Sequence, residues 1–307
     1  GEKDCSPLNS WFFECHFYLF WSKFYSSGVT QLRHMKTKHP KSLILVGNGI
    51  NCEYETAHAH KLVGFSPDFL HINTLMANPG KIHDYTFITL PGGFLDGDDL
   101  GAAKAQAVRW KYQKIGESGK RFLDELIDFV TQGKIILGIC NGFQLLVKTG
   151  LLPGIDNAYG TQSITLTYND LGRFEDRWVW LKGNQFSRCI FTKDIDTIYL
   201  PVRHGEVKLV AETPDIADQL EADGHVVMQY VDESGNLASS YPSNPNGSIA
   251  AIAGICDSSG LILGLMPHPE AFVHRTQHPR WMREKVAEKG EGLLIFKNAF
   301  DYVTENL

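Results

Sequence analysis

No Cys-x-x-Cys pair occurs among the six cysteines, which stand far apart at positions 5, 15, 52, 140, 189 and 256. That argues against a disulfide framework or a structural zinc site and suits a reducing compartment, the cytoplasm. Positive charge is not in excess either: 29 Lys and Arg stand against 35 Asp and Glu, a net charge of −6. Neither nucleic acid nor an anionic membrane is expected as a partner. Long apolar runs are missing. The most aromatic stretch, from Trp11 to Trp21, is far short of the ~20 apolar residues of a membrane span, and it contains Glu14 and His16. The opening Gly-Glu-Lys-Asp is not the basic start of a signal peptide. Asn246-Gly247-Ser248 has the letters of a glycosylation sequon, but without a secretory signal it reads as a turn. Internal repeats and long linkers are also absent.

Residues 1–40 do not match the rest. They are rich in aromatics, and Met35 precedes Lys-Thr-Lys-His-Pro-Lys and then a clean strand, the pattern of a natural start of translation. Residues 1–34 are expected to be an upstream extension, and residues 1–40 to lie outside the core fold, with one domain over 41–307. An aromatic segment that docks on the domain or on a partner is the alternative.

From Ser42 the pattern is regular. Residues 43–46, 69–73 and 85–90 read as strands, and residues 53–62, 100–110 and 120–132 as helices. The last has Phe122, Leu123, Leu126, Ile127, Phe129 and Val130 on one face, acidic residues on the other, and Gly133 as its stop. This alternation implies an α/β fold with a mostly parallel central sheet flanked by helices. After the break at Gly150-Leu151-Leu152-Pro153-Gly154, strands at 164–168, 178–181, 198–202 and 226–231 make a β-rich insertion. Residues 249–255 and 261–265 form a hairpin, and an amphipathic helix over 292–303 closes the chain.

Nucleotide motifs are incomplete. Gly47-Asn48-Gly49-Ile50-Asn51-Cys52 starts like a dinucleotide fingerprint, but Cys52 stands where the third glycine belongs. Gly116-Glu117-Ser118-Gly119-Lys120 imitates a phosphate loop, yet Lys114 replaces its first glycine and Arg121 its Ser/Thr. His58 and His60 are two apart on a predicted helix and do not share a face, so they are not expected to hold a metal. No cofactor and no metal are expected on this chain.

What is present is a strand that ends in a cysteine. The apolar run 135–139 meets Cys140, and Asn141-Gly142 with an apolar-periodic segment follows at once: a buried strand, a one-residue elbow and a helix. Gly138 and Gly142 remove side chains where the backbone turns and where strand and helix pack closely. Cys140 then sits at a helix N-terminus, where unpaired N–H groups and the helix dipole favour a thiolate. Such settings lower a cysteine pKa from about 8.5 to roughly 3.5–7.5. A buried structural cysteine fits the local pattern equally well.

Two more stretches matter. Pro91-Gly92-Gly93, at a strand end, offers backbone N–H groups in a tight loop: either the raw material of an oxyanion hole or an ordinary turn. In Pro267-His268-Pro269-Glu270, Pro269 holds His268 extended, and extended residues two apart point to one side, bringing His268 and Glu270 together. Cys140, His268 and Glu270 could then form a nucleophile, base and orienting carboxylate. A loop histidine bonded to a surface carboxylate is the bland alternative.

Gly138-Ile139-Cys140-Asn141-Gly142-Phe143-Gln144, Pro267-His268-Pro269-Glu270 and Pro91-Gly92-Gly93 resemble the class I (triad) glutamine amidotransferases, which have a flavodoxin-like core. Further stretches are most similar to the glutaminase component of phosphoribosylformylglycinamidine synthase. They are Gly49-Ile50-Asn51-Cys52-Glu53, Gly97-Asp98-Asp99-Leu100-Gly101, Asn169-Asp170-Leu171-Gly172-Arg173-Phe174, the run from Tyr241 to Ser248, and Ala253-Gly254-Ile255-Cys256-Asp257. The resemblance implies hydrolysis of L-glutamine through Cys140, His268 and Glu270. It places the oxyanion on the backbone N–H groups of Gly93 and Asn141, and puts Gly92, Gln144, His204 and Glu206 at the glutamine. It further implies a partner synthetase subunit carrying ATP and Mg, which amidates formylglycinamide ribonucleotide in purine biosynthesis, and a small bridging subunit. Two features depart from the family: the matched region is long, and Ala271-Phe272 replace the charged residues that commonly follow Glu270. The rival readings are a DJ-1/PfpI-like cysteine hydrolase and a non-catalytic amidotransferase-like domain.

Overall fold

Strands covered on both faces need apolar side chains at nearly every position, and the short apolar runs of this chain become the middle of its sheet. The structure, a computed structural model, describes residues 39–115 and 119–307. The expected extension over residues 1–34 and the phosphate-loop look-alike at 116–118 lie outside the described residues. His39 and Pro40 already belong to the fold: the Pro40 carbonyl accepts a hydrogen bond from the Ser66 N–H at 2.9 Å.

The first half runs β1 (Lys41–Val46), α1 (Glu53–Val63), β2 (Ser66–His71), α2 (Ile72–Ala77), β3 (Phe87–Leu90) and α3 (Lys104–Tyr112). A short ribbon of β4 (Lys114–Ile115) and β5 (Lys120–Arg121) leads to α4 (Phe122–Thr131), β6 (Ile135–Ile139) and α5 (Asn141–Thr149). The second half runs β7 (Ile164–Thr167), β8 (Glu175–Gly183), β9 (Thr197–His204), β10 (Lys208–Ala211), α6 (Pro214–Ala222), β11 (Val226–Val231), β12 (Ile252–Cys256), β13 (Ile262–Leu265) and α7 (Leu293–Asn306).

Nine strands form one sheet in the order β2-β1-β3-β6-β13-β12-β11-β8-β9. Its first five strands are mutually parallel, as the alternation of strands and helices predicts. The β-rich middle does not stand apart: β8, β9 and β11 continue the same sheet antiparallel through β12. Of that middle, β7 and β10 make a separate ribbon. The predicted face of α4 is the buried one, with Phe122, Leu123, Leu126, Phe129 and Val130 inside.

Several boundaries differ from the sequence reading. The strand read over 69–73 ends at His71, whose side chain accepts from the Asn73 N–H and so opens α2. Residues 100–103 are a tight turn, with Ala103 at φ 54°, so α3 starts only at Lys104. β10 and α6 are elements the sequence reading did not foresee. No helix among the described residues is long and apolar enough to cross a membrane.

Candidate active site

Three neighbouring parallel strands bring distant parts of the chain to one place. Leu90 of β3 pairs with Gly138 of β6, and Ile139 of β6 pairs with Leu265 of β13. The residues that follow these ends are therefore neighbours: Gly92-Gly93, Cys140, and the segment 266–270. The Cys140 N–H donates to the Leu265 carbonyl at 2.8 Å, and the His268 N–H donates to the Pro201 carbonyl of β9 at 2.8 Å. Open α/β sheets characteristically place their ligand crevice at such carboxyl ends of strands.

Cys140 is the elbow that the sequence predicts. It has φ 51° and ψ −105°, outside the regions where non-glycine residues are comfortable, and α5 starts at the next residue. Strain of this kind persists where surrounding structure holds it, commonly at functional sites. The hold here is close packing: a Cβ at Gly142 would lie 1.9 Å from the Leu90 carbonyl oxygen, so glycine alone lets α5 approach β3. The thiol is buried and lies 3.6 Å from the Arg203 carbonyl oxygen.

His268 and Glu270 meet, but not by the expected route. His268 is extended, whereas Pro269–Ala271 forms a 3₁₀ turn, and this turn folds the carboxylate back onto the ring. The Nδ1–Oε1 distance is 2.6 Å and both residues are buried. Burial alone would push the imidazole's pKa down. The Glu270 carboxylate, with the Cys140 and Cys52 thiols close by, outweighs it and holds the pKa well above the ordinary histidine value. Nδ1 is thus occupied by the carboxylate, which leaves Nε2 to the nearby Cys140 and Cys52 thiols.

A cavity of about 440 Å³ opens over these groups, lined in part by Cys140, His268, Gly93, Gln144, His204 and Glu206. Gly92 packs against the base: a Cβ there would fall 2.8 Å from His268 Cε1 and 3.5 Å from Cys140 Cβ. Gly93 forms an antiparallel bridge with Ile50 in which the flanking Gly92 carbonyl and Phe94 N–H carry the bonds. In that register the Gly93 N–H points away from Ile50. Its φ is 144°, and a Cβ would collide with Gly49 and Ile50. Asn141 is the first residue of α5, so its N–H has no acceptor inside the helix. Both oxyanion candidates therefore sit beside Cys140 with donors to spare.

The other expected residues hold the wall. Gln144 accepts from Asn141 Nδ2 at 3.1 Å and donates to the Glu206 carbonyl. Glu206 Oε2 accepts from the Ala102 N–H at 3.3 Å. His204 accepts from Asn169 Nδ2 at 3.3 Å, and burial, reinforced by His268, pushes its pKa down to about 3. It is a neutral ring whose Nε2 is buried with no hydrogen-bond partner among the described residues.

The sequence reading assigned no role to Cys52, Asp98 or Arg203, which also line the cavity. Asp98 accepts from Asn141 Nδ2 at 3.1 Å and from the Ala103 N–H at 2.9 Å. Burial raises its pKa, the hydrogen bonds oppose this, and the nearby Glu206 charge adds to the rise. Cys52 and Asp98 fall within the Gly-Ile-Asn-Cys-Glu and Gly-Asp-Asp-Leu-Gly stretches, so the signal was there without a role attached. His60, by contrast, is a core histidine between the Ser42 and Thr89 hydroxyls, and His58 pairs with His274.

A family model described as the CobB/CobQ-like glutamine amidotransferase domain matches residues 39–303. The chain is 46% identical over 265 residues to phosphoribosylformylglycinamidine synthase subunit PurQ of Dehalococcoides mccartyi, covering 86% of this chain and 98% of that protein. It is 42% identical over 276 residues to subunit PurQ of Methanococcus maripaludis, covering 86% and 97%. Among solved structures, that of PurLQS from Thermotoga maritima contains a chain 28% identical with a TM-score of 0.62, covering 86% of this chain and 99% of that one.

Proposed function

This chain belongs to the CobB/CobQ-like glutamine amidotransferase family, and from that premise we propose how Cys140, His268 and Glu270 divide the chemistry. Its function is that of the glutaminase component of phosphoribosylformylglycinamidine synthase: L-glutamine is hydrolysed to glutamate and ammonia for a synthetase partner. The observation that carries the division of roles is the convergence of a strained cysteine and a carboxylate-held imidazole in one cavity.

Cys140 gives its proton to His268, and its sulfur attacks the side-chain amide carbon of glutamine. The carbonyl electrons move onto oxygen, where the Gly93 and Asn141 N–H groups receive the charge. His268 returns the proton to nitrogen as the C–N bond breaks, releasing ammonia and leaving a thioester on Cys140. Water, deprotonated by the same imidazole, then attacks the thioester, and glutamate leaves as the thiol is restored. Glu270 holds Nδ1, fixes which ring nitrogen faces the sulfur and stabilises the imidazolium. In the pocket, the acidic Asp98 and Glu206 suit the α-ammonium of glutamine and Arg203 its α-carboxylate.

Free ammonia in neutral water is mostly protonated and unreactive, so delivery follows a closed route at the interface with the synthetase. Phe94 and Phe174 line the cavity and are 49% and 53% exposed, an apolar rim for a partner to cover. ATP and Mg act on that partner, in the amidation of formylglycinamide ribonucleotide, and the reading extends to a small bridging subunit. The compartment is the cytoplasm, supported by four free cysteines among the described residues. The test is to supply glutamine, ATP, Mg and formylglycinamide ribonucleotide to the chain with its synthetase. Amidation that stops on Cys140→Ala but continues with added ammonia supports the reading. Amidation from glutamine that survives Cys140→Ala overturns it.

A further inference from the structure

The two oxyanion donors belong to different elements. The Gly93 N–H is on the loop that follows β3, and the Asn141 N–H is on the first turn of α5. Both have to meet one developing oxygen at about 2.7–3.1 Å, so something must fix the loop and the helix relative to each other beforehand. The chemistry needs only the backbone of Asn141. Its side chain is nevertheless buried, 2% exposed, and hydrogen-bonded through both its oxygen and its nitrogen.

Asn141 Oδ1 accepts from the Leu95 N–H at 3.2 Å, on the same loop as Gly93. Asn141 Nδ2 donates to the Asp98 carboxylate oxygens at 3.2 and 3.1 Å and to Gln144 Oε1 at 3.1 Å. Asp98 also accepts from the Ala103 N–H at 2.9 Å, which ties the loop to the start of α3. Only one orientation of the amide works: turned over, it would set a donor against the Leu95 N–H and an oxygen against a carboxylate. The loop needs the hold, because Asp96, Asp98 and Ala103 have φ of 57°, 55° and 54°, where residues with a side chain stay only when their surroundings keep them. Alanine at position 141 would leave the buried Leu95 N–H without its acceptor. Aspartate has the size of asparagine but would face the Asp98 carboxylate with like charge.

We propose that the Asn141 side chain and Asp98 form a clasp between α5 and the loop after β3, and that this clasp sets the two oxyanion donors at their working separation. Asp98 is then a positioning residue for turnover, in addition to its charge in the glutamine pocket. The clasp rests on the oxyanion reading of Gly93 and Asn141. Every side chain at position 141 leaves the backbone N–H in place, so an effect of the side chain on turnover isolates the clasp from the donor itself.

The test is glutamine hydrolysis by the full chain, with alkylation of Cys140 by iodoacetamide as a reaction that needs no oxyanion donor. Displaced donors cost Asn141→Ala about 10–100-fold in kcat with KM within about threefold. Its Cys140 is alkylated at the unsubstituted rate, because the bend and the thiol are intact. In a Gly93→Ala background the same substitution costs much less, since the donor it positions is already lost. Asn141→Asp also lowers kcat, and adding Asp98→Asn, which removes the repulsion, recovers at least about fivefold of it. If Asn141→Ala does not fold, Asp98→Ala cuts the same tie from the half-buried loop, and its kcat decides the point. An unchanged kcat, a loss of kcat matched by lost alkylation, or additive losses with Gly93→Ala overturns the clasp. A Gly93→Ala chain with undiminished kcat overturns the oxyanion reading, and the clasp with it.

Discussion

Glu270 is the residue whose role is most exposed to test, because it touches His268 and never the substrate. Glu270→Gln keeps the size and loses the charge that holds the imidazole's pKa up. We expect kcat to fall about 10²–10⁴-fold with KM little changed, and the pH profile of kcat to move. The sign follows from the direction of the shift: without the carboxylate, burial dominates and the imidazole loses its proton at lower pH. Gly93→Ala would place a Cβ 2.6 Å from the Gly49 carbonyl oxygen, so the loop must shift and we expect its N–H to leave the oxyanion. Loss of one oxyanion donor costs about 3–4 kcal/mol of transition-state stabilisation, so kcat should drop about 10²–10³-fold while thermal unfolding still shows a folded protein. At this scale the sequence was informative about reacting groups, since Cys140 at a strand–helix bend and His268 beside Pro269 carry local signatures. It carried Cys52 and Asp98 within family-like stretches but gave them no role, because their positions depend on where loops return in space.

Among elements, the contact of α5 with β3 governs the bend at Cys140. Gly142→Ala drives a methyl group into the Leu90 carbonyl. Overpacking of a tight interior costs about 1–3 kcal/mol, and urea unfolding should report a loss in at least that range together with lost glutaminase activity. The packing of α1 on β1 and β3 gives a pH test. His60 sits there fully buried, its pKa pushed down to about 3 by burial, as is that of His204 on β9. Each is neutral in the fold but binds a proton near pH 6.5 when unfolded, so stability is full above about 6.5 and declines as pH falls from there toward 3. The slope is about 1.4 kcal/mol per pH unit for each such histidine. Urea midpoints measured from pH 7 to 5 should decline less steeply in His60→Gln than in the unsubstituted chain. Parallel strands and their helices were legible because all-apolar runs and glycine stops repeat from Ser42 to Gly150. α6 was not, because its nine residues expose most of their side chains and only Ala217 and Leu220 are buried. β10, four residues paired only with β7, carries too short an alternation to stand out.

The whole molecule explains why the two halves of the triad can be so far apart in sequence. β6 and β13 are adjacent and parallel, and β9 reaches the same place through the Pro201 carbonyl, so one sheet assembles the site from three regions. Register of this kind is a long-range property that no local pattern encodes, so the sequence could suggest His268 and Glu270 as partners of Cys140 from the chemistry of a triad and from resemblance, but not from position. Phe94 and Phe174 leave exposed apolar surface at the cavity, so docking of the synthetase should raise glutaminase turnover and suppress release of ammonia to solvent; equal turnover with and without it would contradict the coupling. The most direct measurement is labelling of the chain with a glutamine-analogue electrophile, followed by peptide mapping. We predict a single adduct on Cys140 that L-glutamine blocks and that His268→Ala slows. An adduct on another residue, or labelling of Cys140 that glutamine does not affect, would contradict the account.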